Sequence, residues 1–336
     1  MANKLLATVD IGSHSCILLI AAFEPAESST ALRHPSPGTE SGINSGEDPL
    51  AVAQVSADEN TSTAETEGAE PRKVLVPKLQ KVEICRLGED IYDSGRISEE
   101  KIQDLCRIMT KFRMDLHALG VELKAAAMTE AMRRAENQEE VLDAVEKALW
   151  MRPRIISGEE EAALTYRSVK EWHGEGIVTI DIGGGSTEIS NGATGFSIPV
   201  GALKMFKAMG PIPGPEYKKF VKETFKEVSF KGMTKKPVYL IGGTGTALAM
   251  VFKNLSQFDY KAIEGLEMSI ADLEAVTTRI SNLSKELRAM LPGLENGRSD
   301  VIICGLFWLR SLLEKLRVET FRISTAGLRF GLLYEN

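Results

Sequence analysis

The sequence predicts an α/β protein of two lobes around a central cleft, and three observations carry that reading. The tripeptide Asp-Ile-Gly opens two motifs far apart in the chain, DIGSHS at residues 10–15 and DIGGGS at residues 181–186, which points to two related lobes. Strand-like and helix-like segments alternate, the pattern of helices laid on central sheets. A length of 336 residues exceeds what one hydrophobic core usually fills, so two domains are expected.

Taken in order, residues 5–9 are an apolar run that reads as a buried strand leading into the first Asp-Ile-Gly turn. The apolar residues 16–23 beyond it are too few to span a bilayer. Over residues 26–71 Ser, Thr, Glu, Gly and Pro dominate and large apolar residues nearly vanish. Such a segment cannot bury enough apolar surface to offset its ordering entropy, so it reads as a disordered insertion at a hairpin tip. Strand-like sequence resumes at 74–76 and 82–87, which makes the insertion an interruption of one sheet. Ser98 then reads as the N-cap of a helix whose Ile102, Leu105, Cys106, Met109 and Phe112 share one face. A strand at 123–128, a helix at 138–150 and a strand around Ile155 follow. The apolar run 177–180 leads into the second turn, and 238–241 into Gly242-Gly243-Thr244-Gly245-Thr246. Ser269 with Asp272 has the form of a capping box at the start of a long helix.

Composition narrows the function classes. Hydrophobic residues make up 43% and charged residues 26%, ordinary for a soluble protein with a sizeable core. A net charge of -7 argues against general nucleic-acid binding. No membrane segment or basic leader is read, so a cytoplasmic location is expected. Cys16, Cys85, Cys106 and Cys304 are scattered with no C-x-x-C pair, as expected of reduced core thiols rather than a zinc site. Of the histidines only His14 lies in a motif.

The two turns carry the chemistry. An acidic residue at a strand end, followed by Gly and hydroxyl residues in a tight turn, aims backbone N–H groups at an anion while Asp10 or Asp181 faces a cation. Two such turns facing each other would clamp a phosphate chain. The third Gly-rich segment lets backbone approach a ligand and adds two threonine hydroxyls.

With these three loops in this order the chain resembles the superfamily of actin, heat-shock chaperones and sugar kinases, which implies two actin-like (ribonuclease H-like) lobes. More specifically, RLGEDIYDSGRISEE at 86–100, MTEAMRRAEN at 128–137, IISGEEEAALTY at 155–166, DIGGGSTEIS at 181–190 and the tail segments LPGLENGRSDVIICG and RISTAGLRFGLLYE are similar to the exopolyphosphatase and guanosine pentaphosphate phosphatase family. The resemblance covers nearly the whole chain outside the insertion. It implies a first lobe over 1–156, to which 325–336 returns, a second over 157–324, and a short form lacking the family's C-terminal helical module. It also implies hydrolysis of terminal phosphoanhydride bonds of inorganic polyphosphate or guanosine pentaphosphate with Mg²⁺ and water; exposed apolar residues in the second lobe would favour a homodimer. By position, Glu161 becomes the base that activates water. Asp181, Glu188 and Asp10 become the carboxylates near metal and nucleophile, and Arg133 a cationic contact. Ser13, His14, Ser15, Gly183, Gly184, Gly185, Ser186, Gly243, Thr244, Gly245 and Thr246 become phosphate-binding.

The residue types suit that chemistry, because phosphoryl transfer needs in-line placement and neutralised charge. Each also has a plainer reading. Glu159, Glu160 and Glu161 suit a helix N-terminus through its dipole, Glu188 an exposed strand position, and Arg133 with Arg134 a solvated pair. Two departures from the family stand out: His14 where relatives carry Asn, and Thr325 where many carry an acidic residue. A nucleotide-binding regulator and an ATP-dependent kinase of the same fold remain alternatives. Lysines crowd residues 204–236 of an otherwise acidic chain; on a helix, Lys219, Lys222 and Lys226 fall opposite Val221, Phe225 and Val228, a strip that could steer a polyanion.

Overall fold

The computed structural model describes residues 4–25, 73–294 and 297–335. The first sheet is built from β1 (Leu5–Ile11), β2 (Ser15–Pro25), β3 (Lys73–Ile84), β4 (Glu122–Met128) and β5 (Arg154–Ile155), in the order β3-β2-β1-β4-β5. The second comprises β6 (Val178–Ile182), β7 (Thr187–Ser190), β8 (Gly195–Ile198), β9 (Val238–Ile241), β10 (Glu267–Ser269) and β11 (Thr320–Ile323), in the order β10-β11-β9-β6-β7-β8. Leaving out β10, the two sheets have the same order: three antiparallel strands in sequence, then two parallel strands added on the side of the first. The duplicated Asp-Ile-Gly turn thus marks a duplicated sheet, and the two-lobed actin-like architecture follows.

Helices fill the crossovers that parallel strands require. In the first lobe these are α1 (Leu87–Ser94), α2 (Glu99–Leu119), α3 (Glu130–Arg134) and α4 (Gln138–Leu149). Next comes α5 (Gly158–His173). The second lobe has α6 (Ala202–Met209), α7 (Tyr217–Thr224), α8 (Gly242–Lys253), α9 (Tyr260–Ile263), α10 (Ile270–Ser281), α11 (Lys285–Ala289) and α12 (Ile302–Leu316), before the closing α13 (Leu328–Gly331). The Ser98 cap accepts from Lys101 N, and Ile102, Leu105, Met109 and Phe112 are buried with Cys106 only partly so. The Ser269–Asp272 capping box is complete.

Three sequence expectations need correction or limits. The strand read at 82–87 ends at Ile84, because Arg86 adopts φ 49° and α1 begins at Leu87. The segment 242–246 is the first turn of α8, not a free loop. The reading of 26–71 as an insertion lies outside the described residues, although β2 and β3 on either side pair antiparallel from Pro25 with Lys73 onward.

Each lobe has its own apolar core, and a third cluster joins them. There Leu19 and Leu75 of the first sheet meet Trp172 of α5 and Phe330 of α13. The helices α5 and α13 follow the equivalent fifth strands of the two sheets and cross closely: a Cβ on Gly331 would lie 2.4 Å from the Leu164 carbonyl oxygen. Among the described residues no helix is long and apolar enough to cross a membrane.

Candidate active site in the interlobe cleft

Both Asp-Ile-Gly turns close hairpins with the same hydrogen bond, Gly12 N to Ser15 O at 2.9 Å and Gly183 N to Ser186 O at 3.0 Å. The next carbonyls are held back by the start of a helix in each lobe. Gly88 N donates to Ser13 O (2.8 Å), and Cys85 N and Arg86 N to His14 O (both 3.0 Å). Ala202 N donates to Gly183 O (2.9 Å), and Leu203 N and Lys204 N to Gly184 O (2.9 and 3.0 Å). Because a trans peptide sets its C=O and N–H on opposite sides, the N–H groups of His14, Gly184 and Gly185 point away from those helices. Backbone N–H groups turned this way can face an anion.

The turns face each other across the lobes. A Cβ on Gly184 would lie 3.1 Å from His14 Cβ, and one on Gly185 would lie 2.1 Å from both Glu130 Oε2 and the Tyr92 hydroxyl. Glu130 accepts from Ser13 Oγ and from Tyr92 OH, each at 3.0 Å, and Ser13 Oγ accepts from Ala131 N at 3.1 Å. A cavity of about 70 Å³ lies beside this contact, lined by His14, Gly183, Gly184, Thr244, Arg298 and Val301 among others. Arg298 Nη1 donates to Gly243 O at 3.0 Å. Thr244 donates to Ile182 O, Thr246 to Gly242 O, and Gly245 packs on Leu240, so of the third motif Gly243 and Thr244 face the cavity. His14 is 8% exposed, and neither ring nitrogen has a hydrogen-bond partner among the described residues. Burial first, then Arg298 and Arg86, pushes its pKa down to about 3, so the ring is neutral at physiological pH.

Four carboxylates converge at the strand ends. Asp181 and Glu188 are directly opposite each other in the β6–β7 ladder, hence on one face. Glu161 reaches them because α5 starts hard against β8: a Cβ on Gly158 would lie 2.3 Å from Ser197 Cβ. Within the acidic triplet, Glu159 is exposed and Glu160 pairs with Arg154 at 3.0 Å, which is the plain helix-terminus role. Glu161 alone turns inward, at 8% exposure. Arg133 Nη1 donates to Glu161 Oε2 and to Ile156 O, both at 2.9 Å, while Nη2 lies 3.9 Å from Glu188 Oε1. Ser197 Oγ donates to the same Glu188 oxygen at 2.7 Å.

These carboxyls all resist ionisation. Burial, then the Glu188 charge, raises Glu161 well above the ordinary range against the pull of Arg133. Burial lifts Asp10 to about 7 and Asp181 to about 6, with Arg329 opposing both. Burial and Asp181 lift Glu188 to about 7. A carboxyl with a raised folded-state pKa binds its proton more tightly folded than unfolded, so stability falls as pH rises through the folded value. With a chelator present, the thermal midpoint is therefore expected to rise as pH is lowered from 8 to about 5.5, and to lose that slope when Mg²⁺ is added. A flat or reversed trend without metal would contradict the burial of these groups.

The donor set fits a hard divalent cation. Among the described residues no group of three or more His, Cys, Asp or Glu side chains is gathered closely enough to hold a metal alone. Mg²⁺ instead takes one or two carboxylates together with water and substrate phosphate oxygens, and mutually repelling carboxylates suit that division.

The structure also brings in residues that motif reading did not single out. Arg329 is 6% exposed beside Asp10 and Asp181, with Nε donating to Gln80 Oε1 at 3.0 Å and Nη2 to Thr325 O at 2.7 Å. Its sequence signal was a cation between the apolar Leu328 and Phe330. Gly242 (φ 79°) is required where β9 turns into α8, since a Cβ there would lie 2.1 Å from Asp181 Oδ1. The lysine-rich segment covers most of α6, all of α7 and a 3-10 turn (Phe225–Glu227), with Phe220 of α7 against Trp308 of α12; Lys219 and Lys222 face solvent on α7, whereas Lys226 lies beyond its end and pairs with Glu223 at 2.7 Å, so the three lysines do not share one α-helix.

Comparison with known proteins gives the family and the fold. The model of the Ppx/GppA phosphatase family matches residues 71–336. Exopolyphosphatase 1 of Mycobacterium leprae is 27% identical over 267 residues, covering 74% of this chain and 78% of the relative. The solved Aquifex aeolicus PPX-GPPA enzyme superposes with TM-score 0.69 at 23% identity over 99% of both chains. An exopolyphosphatase from Cytophaga hutchinsonii gives TM-score 0.74 at 17% identity over 98% of this chain and 97% of that one, a likeness of fold.

Proposed function

The chain belongs to the Ppx/GppA phosphatase family and is a hydrolase; from that premise we propose that it releases orthophosphate from the end of inorganic polyphosphate, with Glu161 as the base that activates water. The observation that supports this reading is the buried Glu161 carboxylate, held by Arg133, in a protein whose two Gly-rich turns are in contact across the lobes. The N–H groups of His14, Gly184 and Gly185 bind the phosphate oxygens and set the chain end in line. Glu161 accepts a proton from water as its oxygen attacks the terminal phosphorus, the bridging P–O bond breaks, and the shortened chain leaves with the bridging oxygen. A carboxyl with a raised pKa is a better base near neutrality than an ordinary one. Arg133 orients Glu161 and adds positive charge next to the transferred group. One or two of Asp10, Asp181 and Glu188, completed by water and substrate oxygens, would hold Mg²⁺, which would supply charge neutralisation on the nonbridging oxygens.

The test is phosphate release from long polyphosphate, tripolyphosphate, guanosine pentaphosphate and ATP, side by side, with and without Mg²⁺. Preference for polyphosphate supports the proposal. Preference for guanosine pentaphosphate would move the same chemistry to the other family substrate, and release that needs no divalent ion would remove the metal from it.

A further inference from the structure

One buried charge lies outside the cleft and takes no part in the chemistry above. Glu264, which caps the C-terminal end of α9, and His173, the last residue of α5, have fully buried side chains in contact at 2.7 Å between Glu264 Oε1 and His173 Nε2. The His173 ring stacks on Tyr239 with centroids 4.4 Å apart. The other carboxylate oxygen, Glu264 Oε2, accepts from both the backbone N and the hydroxyl of Thr325 at 2.6 Å. Thr325 in turn offers its carbonyl to Arg329 Nη2 at 2.7 Å, and Arg329 is the cation beside Asp10 and Asp181.

We propose that Glu264 is a positioning residue for the phosphatase site: clamped by His173, it fixes Thr325, whose carbonyl holds Arg329 near Asp181, a Cβ on the intervening Gly327 lying 3.4 Å from Arg329 Nη1 and 3.9 Å from Asp181 Oδ2. The proposal rests on the reading of those two aspartates as part of the phosphate and metal site. Two features favour it over a plain structural tie. A buried carboxylate carries a desolvation penalty that a neutral acceptor would avoid, so its charge needs a use. The span between β11 and α13 is also not part of a sheet or helix, and Glu264 supplies the acceptor for the Thr325 N–H within it. The presence of Thr325 follows from the same geometry, since an acidic side chain there would face Glu264 at 2.6 Å.

Glu264→Gln removes the charge and, with its one oxygen kept on the two Thr325 donors, turns an NH₂ toward His173 Nε2 where an acceptor stood. It is expected to lower kcat roughly 10- to 100-fold, the usual range for an outer partner of a metal-site residue, with KM little changed. Thr325→Asp alone sets two carboxylates against each other and should be worse. Combining Glu264→Gln with Thr325→Asp returns one negative charge within a hydrogen-bond length of its original place and should restore most of the lost kcat. The second readout is the Arg329 side-chain Nε–H resonance, which should shift in Glu264→Gln and return in the double variant. An unmoved Arg329 resonance, or an unchanged kcat in a folded Glu264→Gln protein, would overturn the proposal. So would a folded double variant no better than the single one. If the double variant does not fold, Thr325→Val decides: it should lower kcat severalfold at constant KM and move the resonance, and no change in either overturns the proposal. A wild type inactive on every phosphoanhydride would defeat the functional reading instead, while the resonance would still decide whether Glu264 positions Arg329.

Discussion

Glu161→Gln is expected to fold as the wild type does and to bind substrate, yet turn over about 10²- to 10⁴-fold more slowly, the loss that follows removal of a general base. The glutamine oxygen can still accept from Arg133, so the site keeps its shape while losing the group that takes the proton from water. Glu160→Gln is the matched control, because that carboxylate pairs with Arg154 away from the cleft and should change turnover little. Phosphate release with both variants, alongside their thermal midpoints, checks this. Turnover by Glu161→Gln within a few-fold of wild type would take that residue out of the mechanism.

Arg329→Met is expected to lower stability at pH 8 by roughly 1–3 kcal/mol, the cost of leaving buried acceptors without their donor. Methionine approximates the volume, so the loss comes from Asp10 and Asp181 left without their cation and from the Thr325 carbonyl and Gln80 left without a donor. The two aspartates lose their charge as they protonate below about 7 and about 6. The deficit should therefore shrink at pH 5.5, a sign opposite to ordinary acid destabilisation. Urea unfolding of wild type and variant at both pH values measures it. An equal deficit at the two values would assign Arg329 a packing role only.

Much of the frame was legible because it is encoded locally. An apolar run ending in Asp-Ile-Gly reports a buried strand and a tight turn from a handful of neighbouring residues, and two copies report two lobes. The Ser98 cap and the Ser269–Asp272 box lie within a turn of what they cap. Local reading failed where a residue breaks the rule of its type. Arg86 takes a left-handed backbone that sequence assigns to glycine, so the strand before it was read too long and α1 was not seen. The segment 242–246 reads as a ligand-binding loop from its small residues, whereas Gly242 takes positive φ and the next residues form the first turn of α8, packed on Leu240 and Arg298.

The sequence by itself determined the two turns, the strands that carry them and the residue types able to handle phosphate. Tertiary structure alone decided which of three adjacent glutamates faces the cleft, that Arg133 meets Glu161 from another element, and that Glu264 meets Thr325 and Thr325 meets Arg329. Secondary structure is set by short-range sterics and hydrogen bonding, which neighbouring residues report. Burial, charge pairing and shifted pKa values are set by groups tens to hundreds of positions apart, and no local pattern reveals them until the chain has folded.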